Sequence, residues 1–200
     1  YDSEYYKPKW IAYIAEKYGG IAALNAAYGT AYSSFDEVPM PETNPSVPRS
    51  LLTVAYHDWT VFNDSILTEY HTKAAQYAHE AAPDMPVMTK IMQETHPVAA
   101  FTQSRGTDYE AFGGTMDING NDGWAYVESY FGDMNRRPGV QNSMLWYDYQ
   151  RGINSSPVFN AENHYLLDDE EFNFSPLAAD WLRTELWQGA LHGASAKLLW

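Results

Sequence analysis

The chain contains no cysteine, which removes disulfides, thiolate zinc sites and a cysteine nucleophile together and leaves the compartment open. Basic residues are scarce: 12 Lys and Arg stand against 26 Asp and Glu, for a formal net charge of -14. No cluster of cations is available to displace counterions from a phosphate backbone, so nucleic acid is not an expected partner. No segment approaches the roughly eighteen uninterrupted apolar residues of a membrane span. A soluble chain without a membrane partner is expected. Also missing are a glycine-rich dinucleotide fingerprint and a GxSxG elbow. His57, His71 and His79 lack the HExxH spacing for zinc and read as solvated helix positions. Neither a cofactor nor a metal is implied.

What is present is aromatic. Sixteen Tyr and seven Trp in 200 residues exceed what a core of this size needs. Flat amphipathic rings pack on sugar faces while their polar edges hydrogen-bond, which suits a carbohydrate ligand, although surplus tyrosine also serves protein interfaces. At 45% apolar the chain can form one domain with a substantial core. It opens on Tyr1, without Met or a signal peptide, and stops on the apolar Lys197-Leu198-Leu199-Trp200. The expectation is a piece of a larger protein, truncated at both ends, whose oligomeric state the sequence does not fix.

Helical and strand patterns alternate. Pro8 opens a helix that places Trp10, Ile11, Ile14 and Tyr18 on one side before Gly19-Gly20 stops it, and a second runs from Ile21 to Tyr28 with Gly29 after it. Residues 30–48 lose periodicity and hold prolines at 39, 41, 45 and 48, the pattern of a long surface loop. Leu52, Ala55, Trp59, Phe62, Ile66, Tyr70, Ala74, Tyr77 and Ala81 then recur at helical spacing, the stripe of one long helix packed on a sheet. Strands are expected over residues 86–92 and 115–119, in the run Pro157 to His164, and over 196–200. Helices are expected at 108–112, 124–134 and 144–149, and from Ser175-Pro176 to Gly193 with Leu182, Leu186 and Ala190 buried. Such alternation implies right-handed crossovers and a parallel sheet. Four such strands fit an open doubly wound sheet or half of a (β/α)8 barrel. The barrel is favoured because each strand is followed by polar residues suited to a common mouth.

The chemistry concentrates at Pro157-Val158-Phe159-Asn160-Ala161-Glu162-Asn163-His164, an apolar run ending in hydrogen-bonding side chains. In a parallel α/β sheet the carboxyl ends of strands face the ligand cleft, which makes Glu162 the candidate reactive group. The alternative is a carboxylate that closes a strand by hydrogen bonds to nearby backbone. Asn163 and His164 could orient it or touch sugar hydroxyls, and Trp200 could form a stacking floor or belong to the core. Asn119, Asn121 and Asp122 could bind hydroxyls or make a turn, and Lys90 and Glu94 carry a weaker signal. Two glycosylation sequons, at Asn63 and Asn154, occur often by chance.

The segment from Tyr18 to Thr30, its continuation Ser33-Ser34-Phe35-Asp36-Glu37-Val38-Pro39, the run Pro157 to His164 and Trp187-Gln188-Gly189-Ala190-Leu191-His192-Gly193-Ala194 resemble family 42 glycoside hydrolases, the β-galactosidase group of a retaining (β/α)8 clan. The resemblance implies the C-terminal half of a TIM barrel, strands five to eight with their helices, with residues 1–200 forming a partial catalytic barrel. It implies Glu162 as nucleophile at the end of strand seven. The acid/base glutamate, which follows an asparagine in the family, is then expected upstream of Tyr1, so the chain by itself should be inactive. Asn163, His164, Trp200, Asn119 and Asp122 become candidate substrate contacts. The chain departs from the pattern in having no Trp shortly after Glu162. A non-catalytic carbohydrate-binding barrel and an agarase-like polysaccharide hydrolase are the alternatives.

Overall fold

The computed structural model of the chain describes residues 5–41, 53–91, 107–123, 140–163 and 176–199. These fall into two units, one built on residues 1–67 with 103–107 and one on 68–102 with 108–200.

In the first unit, helix α1 (Lys7–Tyr18) ends at Gly19 and helix α2 (Ile21–Tyr28) at Gly29, both glycines being left-handed with φ 66° and 69°. Only glycine takes that conformation without a Cβ penalty. A 3-10 turn (Phe35–Glu37) follows, and the opening turns of the long helix α3 (Val54–Ala81) complete the unit. Trp10, Ile14, Leu24, Val38, Trp59 and Phe62 form its core. Trp10 meets Trp59 edge to face at 5.3 Å, a favoured geometry for aromatic pairs.

Of the segments that resemble the family, Tyr18 to Thr30 is engaged in the fold itself. Lys17 Nζ, Tyr18 Oη and Tyr28 Oη donate to the fully buried Asp58 carboxylate at 2.5, 2.6 and 2.9 Å. Burial alone would raise the Asp58 pKa, but these three hydrogen bonds outweigh it and hold the carboxyl below its ordinary value. The same contacts raise the Lys17 ammonium, chiefly through its hydrogen bond to Asp58. Burial and the Asp58 carboxylate push the Tyr18 hydroxyl up to about 12 and raise Tyr28 as well. Asn25 fastens the next turn, its Nδ2 donating to Tyr32 O while its Oδ1 accepts from Thr30 Oγ1 and Tyr32 N, all within 2.9 Å.

The second unit is a four-stranded parallel sheet in the order β1 (Met88–Ile91), β2 (Ile118–Asn121), β3 (Val158–Asn163) and β4 (Ala194–Leu199). Helix α4 (Tyr109–Thr115) precedes β2, α5 (Val140–Ile153) precedes β3 and α6 (Pro176–Leu191) precedes β4. The fold is the α/β alternation expected. The expected helix at 124–134 lies outside the described residues.

Four local expectations are corrected. β2 begins at Ile118 instead of residue 115, because α4 continues to Thr115 and Asp117 then ties the strand start to its neighbour. The Asp117 carboxylate accepts from Val87 N at 2.7 Å and pairs with His79 at 2.8 Å. In the later turns of α3 the stripe rotates: Tyr70 and Tyr77 are 67% and 64% exposed, whereas Ala75 is buried. His71 stands edge-on to Phe112 at 4.9 Å where a solvated position was expected, whereas His57 is exposed and His79 stays 38% exposed while pairing with Asp117. In α6, Leu186 and Ala190 are exposed, and the buried positions are Ala178, Glu185 and Gly189. An ion pair, Glu185 with Lys197 of β4, occupies the ground expected for leucines.

Candidate active site

The register determines which side chains share a face. Ile91, Asn121, Asn160 and Lys197 are aligned across the sheet, as are Lys90, Gly120, Phe159 and Ala196 one position earlier. Successive residues of a strand point to opposite faces, so these two rows look in opposite directions. The first row looks toward the helices. Asn121 Nδ2 donates to Gln150 Oε1 of α5 at 2.6 Å, Asn160 Nδ2 to Tyr147 Oη of α5 at 2.9 Å, and Lys197 pairs with Glu185 of α6. The second row looks away from the helices, and Lys90 belongs to it.

Glu162 belongs with Lys90. Their side chains meet in an ion pair, the lysine 38% and the glutamate 25% exposed. Glu162 N donates to Asn160 Oδ1 at 3.2 Å. A carboxylate at the carboxyl end of a parallel strand, half-buried, on the face opposite the helices and beside a cation, is placed where an α/β barrel binds its ligand. Gly120 stands between the two side chains' strands, and a Cβ there would meet Thr89 O at 2.6 Å.

The other site candidates are distributed differently. Asn119 is buried at 5% exposure, and its Nδ2 donates to Gln150 O at 3.2 Å and to Asn154 Oδ1 at 2.9 Å. Asn163 is fully buried, and its Nδ2 donates to Glu185 Oε2 at 3.0 Å. Both side chains therefore lie in the layer between sheet and helices, on the opposite side from Lys90. Asp122 is buried directly after β2, with its backbone N–H donating to Ile91 O at 3.2 Å. His164, Trp200 and Glu94 lie outside the described residues. Asn63 is buried with Nδ2 donating to Trp59 O, and Asn154 donates to Gly113 O at 2.6 Å, so both sequon amides are engaged in the fold.

Sequence reasoning gave Lys90 little weight and missed the Glu185–Lys197 pair. The signal for the first was a single cation inside the apolar run Val87 to Ile91. For the second there was none, because a buried ion pair looks in sequence like two surface charges. Burial pulls the Lys197 ammonium below its ordinary pKa and Glu185 offsets this only in part, while burial raises the Tyr147 hydroxyl beside them.

The profile of the glycoside hydrolase 42 family, described as beta-galactosidase, matches residues 2–164. The chain belongs to this family. A β-galactosidase from Arthrobacter sp. is 31% identical over 117 residues, 55% of this chain and 15% of the relative. Among solved structures, the apo exo-carrageenase of family 42 from Bacteroides ovatus superposes with TM-score 0.76 at 22% identity, over 99% of this chain and 27% of that one. The polyextremophilic β-galactosidase of Halorubrum lacusprofundi superposes with TM-score 0.70 at 20% identity, over 96% of this chain and 29% of that one. The chain thus spans under a third of the length of these family members. Its four-stranded sheet with helices is part of a TIM barrel.

Proposed function

We propose that the protein carrying this family 42 segment is a retaining β-glycosidase acting on a β-galactoside or a related saccharide, with Glu162 as its nucleophile. The observation that supports this is the position of Glu162, at the carboxyl end of β3 on the face opposite the helices and paired with Lys90. In a double displacement the carboxylate attacks the anomeric carbon and forms a glycosyl ester while a second carboxyl group, about 5 Å away, protonates the leaving oxygen. That second group then takes a proton from water, which attacks the anomeric carbon and releases Glu162 with net retention. We assign the acid/base to a residue outside Tyr1–Trp200, and we take residues 1–200 as the C-terminal part of the catalytic barrel. The galactoside preference follows the names of the relatives.

Asn119 and Asn163, whose amides are spent on the helix layer, are assigned to supporting the site; His164, Trp200 and Asp122 stay assigned to the saccharide. The test is Glu162→Gly in the full-length protein with an activated β-galactoside. Activity should fall to near background, and added azide should restore turnover by occupying the space of the lost carboxylate, giving a glycosyl azide of inverted configuration. An unimpaired Glu162→Gly variant, or one that azide does not rescue, would remove Glu162 from the nucleophile's role. Binding of galactosides without hydrolysis by the full-length protein would favour a carbohydrate-binding barrel instead.

A further inference from the structure

Strict alternation along β3 would place Glu162 on the wrong side of the sheet. Val158 and Asn160 are buried toward the helices, so residue 162 should follow them into that layer. Instead Asn163 is the next residue there, three positions after Asn160, and the register of β3 against β4 shifts between these two residues. One extra residue in a strand reverses the facing of everything beyond it. We infer that the irregularity between Asn160 and Asn163, pinned from the helix side by Asn160, Asn163 and Glu185, is the device that turns Glu162 onto the Lys90 face.

The pin is continuous. Asn160 Nδ2 lies 3.0 Å from Asn163 Oδ1, 2.9 Å from Tyr147 Oη and 2.6 Å from Gly123 O, while its Oδ1 accepts from Glu162 N at 3.2 Å. Asn163 Nδ2 donates to Glu185 Oε2 at 3.0 Å, and the other oxygen of Glu185 pairs with Lys197. Asn160, Asn163 and Glu185 are all fully buried. A regular strand would leave Asn163 facing away from Glu185 and bury Glu162 in its place, setting two carboxylates together in the helix layer. Such an arrangement is strongly disfavoured, since buried like charges cannot both stay ionised. The three side chains are positioning residues: they act on chemistry only through the direction of Glu162.

The consequence for rate rests on the nucleophile reading above, but the geometric claim does not, and two measurements separate them. Crystal structures of the full-length protein with Asn163→Ala should show β3 in regular register with β4 or Glu162 parted from Lys90. An unchanged bulge with the Lys90–Glu162 pair intact overturns the inference whatever the kinetics show. Kinetically, Asn163→Ala should lower kcat by about 100-fold, the cost of a misplaced reacting group, with KM little changed. In the Glu162→Gly background the azide-rescued rate should move less than about twofold on adding Asn163→Ala, because the residue through which the pin acts is gone. Equal losses in both backgrounds would make Asn163 a general support and refute its positioning role. If azide fails to rescue Glu162→Gly, the nucleophile reading fails and the crystal structures still decide the pin. Should Asn163→Ala not fold, Glu185→Leu with Lys197→Met removes the acceptor without stranding a buried charge and must misdirect Glu162 in the same way. Glu185→Gln with Lys197→Met, which keeps an acceptor for Asn163, must leave Glu162 in place.

Discussion

Replacing Asp58 with alanine should destabilise the first unit by about 3–5 kcal/mol, the range for removing one partner of a buried ion pair. The value is worked from three donors. Tyr18 and Tyr28 each lose a hydrogen bond to a charged acceptor, worth about 1.5–3 kcal/mol apiece. Lys17 adds little beyond this, since its side chain is 37% exposed and solvent recovers most of its loss. Asp58→Asn keeps one acceptor oxygen and should cost about half as much. Guanidinium unfolding of the full-length protein, followed by the near-ultraviolet signal of the Trp10–Trp59 pair beside Asp58, measures both. In a double-mutant cycle Asp58→Ala and Tyr28→Phe should couple by about 1 kcal/mol or more, because they remove the same hydrogen bond. A loss below about 0.5 kcal/mol for Asp58→Ala, within the ordinary range for a surface substitution, would refute the view that this carboxylate holds the segment together.

The same cluster sets a pH window. Asp58 titrates below its unfolded value when folded, so its contribution is present above pH about 4 and is lost as pH falls further. Lys17, Tyr18 and Tyr28 are raised on folding, so theirs is present below pH about 10 and is lost as pH climbs through the folded values. For Tyr18 that loss runs toward about 12. Denaturant midpoints should therefore be level between these limits and fall on both sides, and Asp58→Asn should flatten the acid limb; an unchanged acid limb would contradict the assignment. Separately, Asn154→Ala should cost about 2–3 kcal/mol, since it deletes hydrogen bonds to Gly113 O, Asn119 and Ser156 N. Thermal unfolding within experimental error of the unsubstituted protein would rule that out.

Much of the architecture was legible in the chain because its signals are local. Gly19 and Gly29 end their helices by the left-handed conformation that glycine adopts freely, and the spacing of Trp10, Ile14 and Leu24 finds a core without reference to distant residues. The start of β2 was misplaced because the tie that fixes it after α4, Asp117 to Val87 and His79, spans 30 and 38 residues. The buried face of α6 was misassigned for a related reason. Hydrophobic periodicity favours Leu186, but the position facing the sheet holds Glu185, whose partner Lys197 arrives from the next strand.

Sequence order alone was enough to mark Glu162 as the reactive candidate and to determine the alternation of helices and strands, because backbone propensity and strand-end polarity are properties of neighbours. Only tertiary structure decided which way that glutamate faces. A period of two, read along β3, sends it toward the helices; the shifted register between Asn160 and Asn163 sends it to Lys90 instead. That choice depends on buried hydrogen bonds to α5 and α6, whose partners lie 13 and 22 residues away in the chain and meet only when the sheet and its helices close on one another.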